Sequence, residues 1–274
     1  MTIFQSILLG IVQGLTEFLP VSSSGHLVII PYLLGWNIPA QVEFVFDVLV
    51  QVATLFAVIV YFWSDLLGIT KAFIAGVRSR QVMADPQSRL GVYIILATIP
   101  AGVVGVLIKD MVEQAFDSPT ATAFFLLVTS LLLVVAERLG ARRRELVDIM
   151  AKDALWIGFF QALAIFPGIS RSGSTITGGM TRDLQREPAA RFSFLLSIPI
   201  MLAAGGLALL DLAEIPDIGS TLLVYLPGFI AAALTGYFSI RWLLGYLSRR
   251  PLNLFAIYCA VLGIFTLLVS LVRS

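Results

Sequence analysis

Six long, predominantly apolar stretches lie along the chain, at 44–63, 92–108, 122–139, 192–210, 224–244 and 252–272. Each is close to the roughly 20 helical residues needed to cross a hydrocarbon core. No period-two alternation of the kind that builds membrane barrels accompanies them, so helices remain the way to satisfy backbone groups in lipid. The pattern predicts an all-α, polytopic membrane protein with six spanning helices. Two further apolar stretches, 3–35 and 154–181, are interrupted at Pro, Gly and Ser. Their arms are too short for ordinary crossings. They predict re-entrant helical hairpins, tolerated where irregular backbone is buried in protein or lines a wet cavity.

The two interruptions resemble each other. At an offset of 148, GIVQGLTEFLPVSSSG (10–25) aligns without a gap on GFFQALAIFPGISRSG (158–173), and seven of the sixteen positions are identical. Chance would give about one or two. The same offset pairs Phe44 with Phe192 and Phe46 with Phe194. The chain therefore reads as one membrane domain, 1–274, made of two repeats. The first, 1–140, holds hairpin 3–35 and spans 44–63, 92–108 and 122–139. The second, 150–274, holds hairpin 154–181 and spans 192–210, 224–244 and 252–272. Three crossings per half is an odd number, so the second copy enters the membrane from the opposite side. Inverted repeats of this kind bring broken helices together at a midplane site.

Composition narrows the class. Hydrophobic residues make up 58% of the chain and charged ones 13%, with a mean hydropathy of +0.95, which excludes an ordinary water-soluble globule. The net charge of +1 is uninformative here, but the basic residues lie in loops beside the spans rather than along one face, so no nucleic-acid partner is expected. Lys71, Arg78, Arg80 and Arg89 cluster in one connection, and Arg138, Arg142, Arg143, Arg144 and Lys152 in another; Arg249 and Arg250 follow one out-and-back later. By the positive-inside rule these are cytoplasmic. The acidic segments with Lys109, Asp110, Glu113 and Asp117, and with Asp211, Glu214 and Asp217, then fall outside, together with residues 1–43 and the C-terminus. MTIFQSILLG carries no Lys or Arg ahead of its apolar run and does not read as a cleaved signal peptide. The single cysteine, Cys259, lies in the last apolar run and reads as a packing residue.

The polar residues of the two turns then stand out. In FPGISRSGST, Arg171 lies between Ser170 and Ser172, ahead of Gly173 and Thr175 where a helix should begin. Free N–H groups, hydroxyls and a guanidinium at a helix start make an anion site, and phosphate suits Arg best. Arg171 would stabilise charge on phosphoryl oxygens. In LPVSSSGH, Ser22, Ser23 and Ser24 precede Gly25 and the chain's one histidine, His26. Glu17, His26 and Arg171 would converge on two serine-rich helix starts, and ionisable groups inside a membrane tend to be functional. Together they supply an acid/base, a nucleophile, an anion clamp and a carboxylate for a hard cation, the set that metal-assisted phosphoryl transfer requires. Gln13 and Glu17, four apart, share a helix face. Gln161 repeats the Gln, but Ile165 stands where the Glu would be, so the halves are chemically unequal. Because inverted repeats with re-entrant hairpins are typical of carriers, a transporter or flippase using the same midplane site is the alternative.

QGLTEFLPVSSSGH and PGISRSGST closely resemble the two signature motifs of the bacterial undecaprenyl pyrophosphate phosphatase, or bacitracin-resistance, family. FVFDVLVQ (44–51) and GGM (178–180) extend the likeness along the chain. The resemblance implies removal of the terminal phosphate from the C55 polyprenyl pyrophosphate in the bacterial cytoplasmic (inner) membrane, recycling the carrier lipid for cell-wall synthesis. The active site would be open to the periplasmic side. It implies a divalent cation, Mg2+ or Ca2+, held by Glu17; Gln13 occupies the family's first Glu-or-Gln position. Ser23 is implied as nucleophile, with His26 as its general base or as the phosphate acceptor itself, and Arg171 as the phosphate clamp. Ser22, Ser170, Ser172 and Thr175 would add hydrogen bonds to the phosphate. The expected partners are the polyprenyl pyrophosphate and membrane lipids, with a homodimer left open.

Overall fold

The computed structural model describes residues 1–116, 118–213 and 218–273. The outer-side markers Asp117, Glu214 and Asp217 lie outside the described residues. The order is α1 (Ile3–Phe18), α2 (Ser23–Leu34), α3 (Ala40–Tyr61), α4 (Trp63–Ser79), α5 (Pro86–Leu107), α6 (Lys109–Phe116), α7 (Pro119–Leu139), α8 (Ala151–Leu163), α9 (Arg171–Met180), α10 (Arg186–Ala213), α11 (Ile218–Leu247) and α12 (Asn253–Arg273). Among the described residues, α3, α5, α7, α12 and the Leu223–Leu247 part of α11 are each long and apolar enough to cross a membrane. The remaining expected span, 192–210, lies within the 28-residue α10.

The helices begin where the sequence supplies caps. Asp85 accepts from the amides of Gln87 and Ser88, so α5 starts at Pro86 rather than at 92. Ser118 caps α7 through the Ala121 amide, and Pro at the first helical position suits both starts. The connection 63–91 is not a plain loop, because α4 occupies most of it. That helix leaves Trp63, Leu67, Phe73, Ile74 and Val77 exposed and places Lys71 and Arg78 among them. Charges spaced through apolar residues read as loop when counted, yet they suit an amphipathic helix.

Helix packing follows the two halves. α1 packs on α11 and α8 on α5; α3 packs on α11 and α10 on α5; α7 meets α12, and α3 meets α10. Exchanging α1 with α8, α3 with α10, α5 with α11 and α7 with α12 returns the same set of pairs. Close approach recurs too. A Cβ on Gly10 would overlap the Gly228 carbonyl of α11, and one on Gly158 would lie 2.5 Å from Ala97 O of α5. Both first hairpin arms thus seat backbone against backbone.

Phe18, at the end of α1, is fully buried against Phe194 of α10 with rings edge-on at 5.4 Å, and Phe62 completes the group. At one end of the molecule charged clusters join six segments of the chain. Asp153, fully buried, accepts from Arg144 at 2.6 Å and Arg182 at 2.8 Å. Glu137 accepts from Arg186 and from the Leu252 amide of the α11–α12 turn. Burial pushes the Asp153 carboxyl up, but hydrogen bonds from Arg144, Arg182 and the Met150 amide bring it net below its ordinary value. The basic connection 138–152 and the turn bearing Arg249 and Arg250 therefore share one end.

Candidate active site

The two hairpin turns meet. Ser172 donates from its hydroxyl to the Leu19 carbonyl at 2.9 Å. A Cβ added to Gly25 would come within 3.1 Å of Gly168 Cα. Gly168 itself has φ +97 and abuts the Thr122 carbonyl, so no side chain fits there. Its own carbonyl accepts from Thr129, whose hydroxyl oxygen in turn accepts the Ser170 amide at 2.9 Å. α7 thereby fixes the second turn. The first turn is anchored by Cys259, which is buried with its Sγ 3.8 Å from the Pro20 carbonyl.

Glu17 lies at the centre of this junction. Its Oε1 accepts from Arg171 at 2.6 Å, and its Oε2 accepts from the Ser23 hydroxyl at 2.6 Å and from Gln13 Nε2 at 2.9 Å. One carboxylate thus joins three helices, α1, α2 and α9. The Glu17 side chain is 6% exposed and that of Arg171 17%, so the ion pair is largely shielded, with Arg171 the more accessible partner. The guanidinium has five N–H donors and only part of them is spent here. Ser23 and Ser24 open α2 while Arg171 and Ser172 open α9, and first-turn amides have no partner within their own helix. Two helix N-termini, an arginine and a hydroxyl therefore surround one spot beside a carboxylate, an arrangement suited to an anion.

The other expected phosphate ligands have structural partners. Ser22 caps α2 through the Gly25 amide at 3.2 Å and Ser170 caps α9 through the Gly173 amide at 3.0 Å. Ser172 fastens one turn to the other. Thr175 is 1% exposed and bonds the Arg171 and Ser172 carbonyls and the hydroxyl of Ser193 on α10. At the open side of the turns Ser23, Ser24 and Arg171 are half-buried rather than enclosed.

The expected activation of Ser23 by His26 has no contact behind it. His26 Nδ1 is 2.7 Å from the Ser22 carbonyl and Nε2 is 2.7 Å from the Tyr258 hydroxyl, so both ring nitrogens are occupied. The reason is helical geometry. His26 sits one turn into α2 and reaches back to its cap, whereas Ser23, at the first position, faces α1. The group that touches the Ser23 hydroxyl is Glu17. Tyr258, 232 residues from His26, carried no signal in the sequence beyond a polar tip in an apolar run.

A hard cation would find oxygen donors here. Gln13 Oε1 is buried and without a hydrogen-bond partner, and it shares a helix face with the Glu17 carboxylate. Among the described residues no three His, Cys, Asp or Glu side chains gather at one place. The set suits a cation that completes its shell with phosphate oxygens and water, as Mg2+ commonly does.

The sequence model of the family described as Bacitracin resistance protein BacA matches residues 6–265. A protein of Methanosphaera stadtmanae named undecaprenyl-diphosphatase is 41% identical, over 98% of this chain and 99% of its own length. One of Desulforudis audaxviator with the same name is 42% identical over 99% of both chains. Another, of Chlorobaculum tepidum, is 43% identical over 96% of this chain and 95% of its own.

Proposed function

The chain belongs to the bacitracin resistance protein family, and from that premise we infer that it is a multi-pass membrane hydrolase acting on undecaprenyl pyrophosphate. It yields undecaprenyl phosphate and inorganic phosphate, recycling the carrier lipid for cell-wall synthesis. The observation that carries the site assignment is Glu17 held between the Ser23 hydroxyl and Arg171, both at 2.6 Å.

Ser23 Oγ attacks the terminal phosphorus as its proton passes to Glu17 Oε2. The bond from phosphorus to the bridging oxygen breaks, and the electron pair leaves with undecaprenyl phosphate. Water then attacks the phosphoserine, Glu17 returns the proton to Ser23 as the Oγ–P bond opens, and inorganic phosphate departs. Arg171 and the first amides of α2 and α9 stabilise charge on the non-bridging oxygens throughout. The ion pair also orients the Glu17 carboxylate. Gln13 Oε1 and Glu17 would hold a divalent cation, which when bound supplies neutralisation of the pyrophosphate charge.

The halves form an inverted repeat, supported by the offset-148 match and by a helix-pair set unchanged when the halves are exchanged. The active site faces the periplasm of the inner membrane, a reading supported by the basic connections gathered at one end. Cysteines introduced singly at Thr2 and Glu145, in a Cys259→Ala background, should label from opposite sides; labelling from one side overturns the topology. For the activity, purified protein should release phosphate from a polyprenyl pyrophosphate. Full activity in Ser23→Ala and Arg171→Ala would overturn the site.

A further inference from the structure

Tyr258 lies on α12, in the second half of the chain, yet its hydroxyl is 2.7 Å from Nε2 of His26 on α2, and the two rings are parallel within 2°. The other ring nitrogen settles who donates. A backbone carbonyl can only accept, so Nδ1, 2.7 Å from Ser22 O, carries a proton. Neither ring nitrogen has a carboxylate partner. In the neutral ring Nε2 is then the acceptor, and the tyrosine O–H donates to it.

The receiving residue is unusual. Ser22 has φ 69, a conformation few residues other than glycine adopt, and its carbonyl takes both the His26 amide at 3.2 Å and Nδ1–H at 2.7 Å. The next residue is Ser23. A continuous chain therefore runs from the Tyr258 hydroxyl through the imidazole to the strained turn that aims Ser23 at Glu17.

We propose that Tyr258 is a positioning residue of the phosphatase, holding His26 in its Nδ1–H tautomer so that the imidazole braces the Ser22 turn behind the nucleophile. This rests on the reading of Ser23 as nucleophile. Tyr258 is 44% exposed and Phe would keep its ring, so Tyr258→Phe removes one hydroxyl and leaves the packing.

The chain has a single histidine, so 15N-histidine labelling reports on one ring without assignment. The unsubstituted protein should show a protonated Nδ1 and a hydrogen-bonded, unprotonated Nε2. Tyr258→Phe should move the Nε2 resonance towards that of a free imidazole nitrogen or mix the tautomers. Its kcat for phosphate release should fall about three- to tenfold, the worth of one hydrogen bond. KM should stay within about twofold, because Arg171 and the helix-start amides are untouched. Normal phosphate release with an Nε2–H tautomer, or Tyr258→Phe with unchanged kcat or an unchanged spectrum, would overturn the positioning role alone. Absence of phosphate release by the unsubstituted protein would instead sink the phosphatase reading on which it stands.

Discussion

Replacing Glu17 by Gln separates the two candidate bases of the site. The change keeps the shape and removes the charge. In the structure Glu17 Oε2 accepts from both Ser23 and Gln13, and Oε1 accepts from Arg171. An amide has one oxygen and one NH2, so it cannot satisfy all three donors. If its oxygen stays on Arg171, its NH2 faces the Ser23 hydroxyl and can take no proton from it. Loss of a general base typically costs 10²–10⁴ in rate, about 3–5 kcal/mol of transition-state stabilisation. The stability effect should be smaller, about 1–3 kcal/mol for a donor left without its charged acceptor, since Arg171 remains 17% exposed to water. Phosphate release measured beside thermal unfolding in detergent distinguishes the two losses. Glu17→Asp adds a control: it keeps the charge for Arg171 but withdraws the oxygen from Ser23, so stability should hold while kcat falls. His26→Gln supplies the contrast and should lose about tenfold, because the ring braces the turn rather than taking the proton. A Glu17→Gln enzyme within threefold of normal kcat, beside an inactive His26→Gln, would refute this account and restore histidine as the base.

Other consequences are simpler to read. Gly168→Ala forces a side chain into a left-handed position against the Thr122 carbonyl, and should cost about 2–4 kcal/mol of stability, seen as a lowered thermal midpoint and weak expression. Asp153→Asn should destabilise at neutral pH. The folded-state pKa of this carboxyl lies below the unfolded value of about 3.9, so its contribution is complete above that value and lost as pH falls through the folded one; the two proteins' thermal midpoints should converge on acidification, and parallel curves would disprove the linkage. Chelation should abolish phosphate release, with Mg2+ or Ca2+ restoring it. Gln13→Ala should then raise the concentration of cation needed for half-activity several-fold, while Gln13→Glu should lower it; identical requirements in all three would remove Gln13 from the cation site.

What the sequence could and could not reveal follows from the range of each signal. The hairpins were legible because Pro, Gly and Ser interrupt apolar runs locally, and the approach of the two turns was legible through the repeat. α4 was not, since its charges hide an amphipathic period that mere counting treats as loop. Glu17 and Arg171 were recognisable as ionisable groups with no ordinary reason to be buried. Their partners were harder. Ser23 and His26, three apart, are natural candidates for one another, and only the backbone around Ser22 shows that they face different helices. Ser170, Ser172 and Thr175 had the right chemistry for phosphate, yet each is taken by a cap, a backbone carbonyl or a neighbouring helix. Side-chain type does not reveal which hydroxyls are already in use.

The Glu17–Arg171 pair bridges residues 154 positions apart, one from each half. A nascent first half would carry a carboxylate with no counter-ion at membrane depth, and the second half an orphan guanidinium. Either fragment alone is thus disfavoured in lipid, where an unmatched charge is expensive, and their union removes both penalties at once. The pair proposed to orient the chemistry would then also act as a proofreading step in biogenesis, rewarding a chain only when its two parts have docked. Residues 1–140 and 150–274 made as separate chains should accumulate together and be degraded apart; equal survival of the lone fragments would deny the ion pair that second duty.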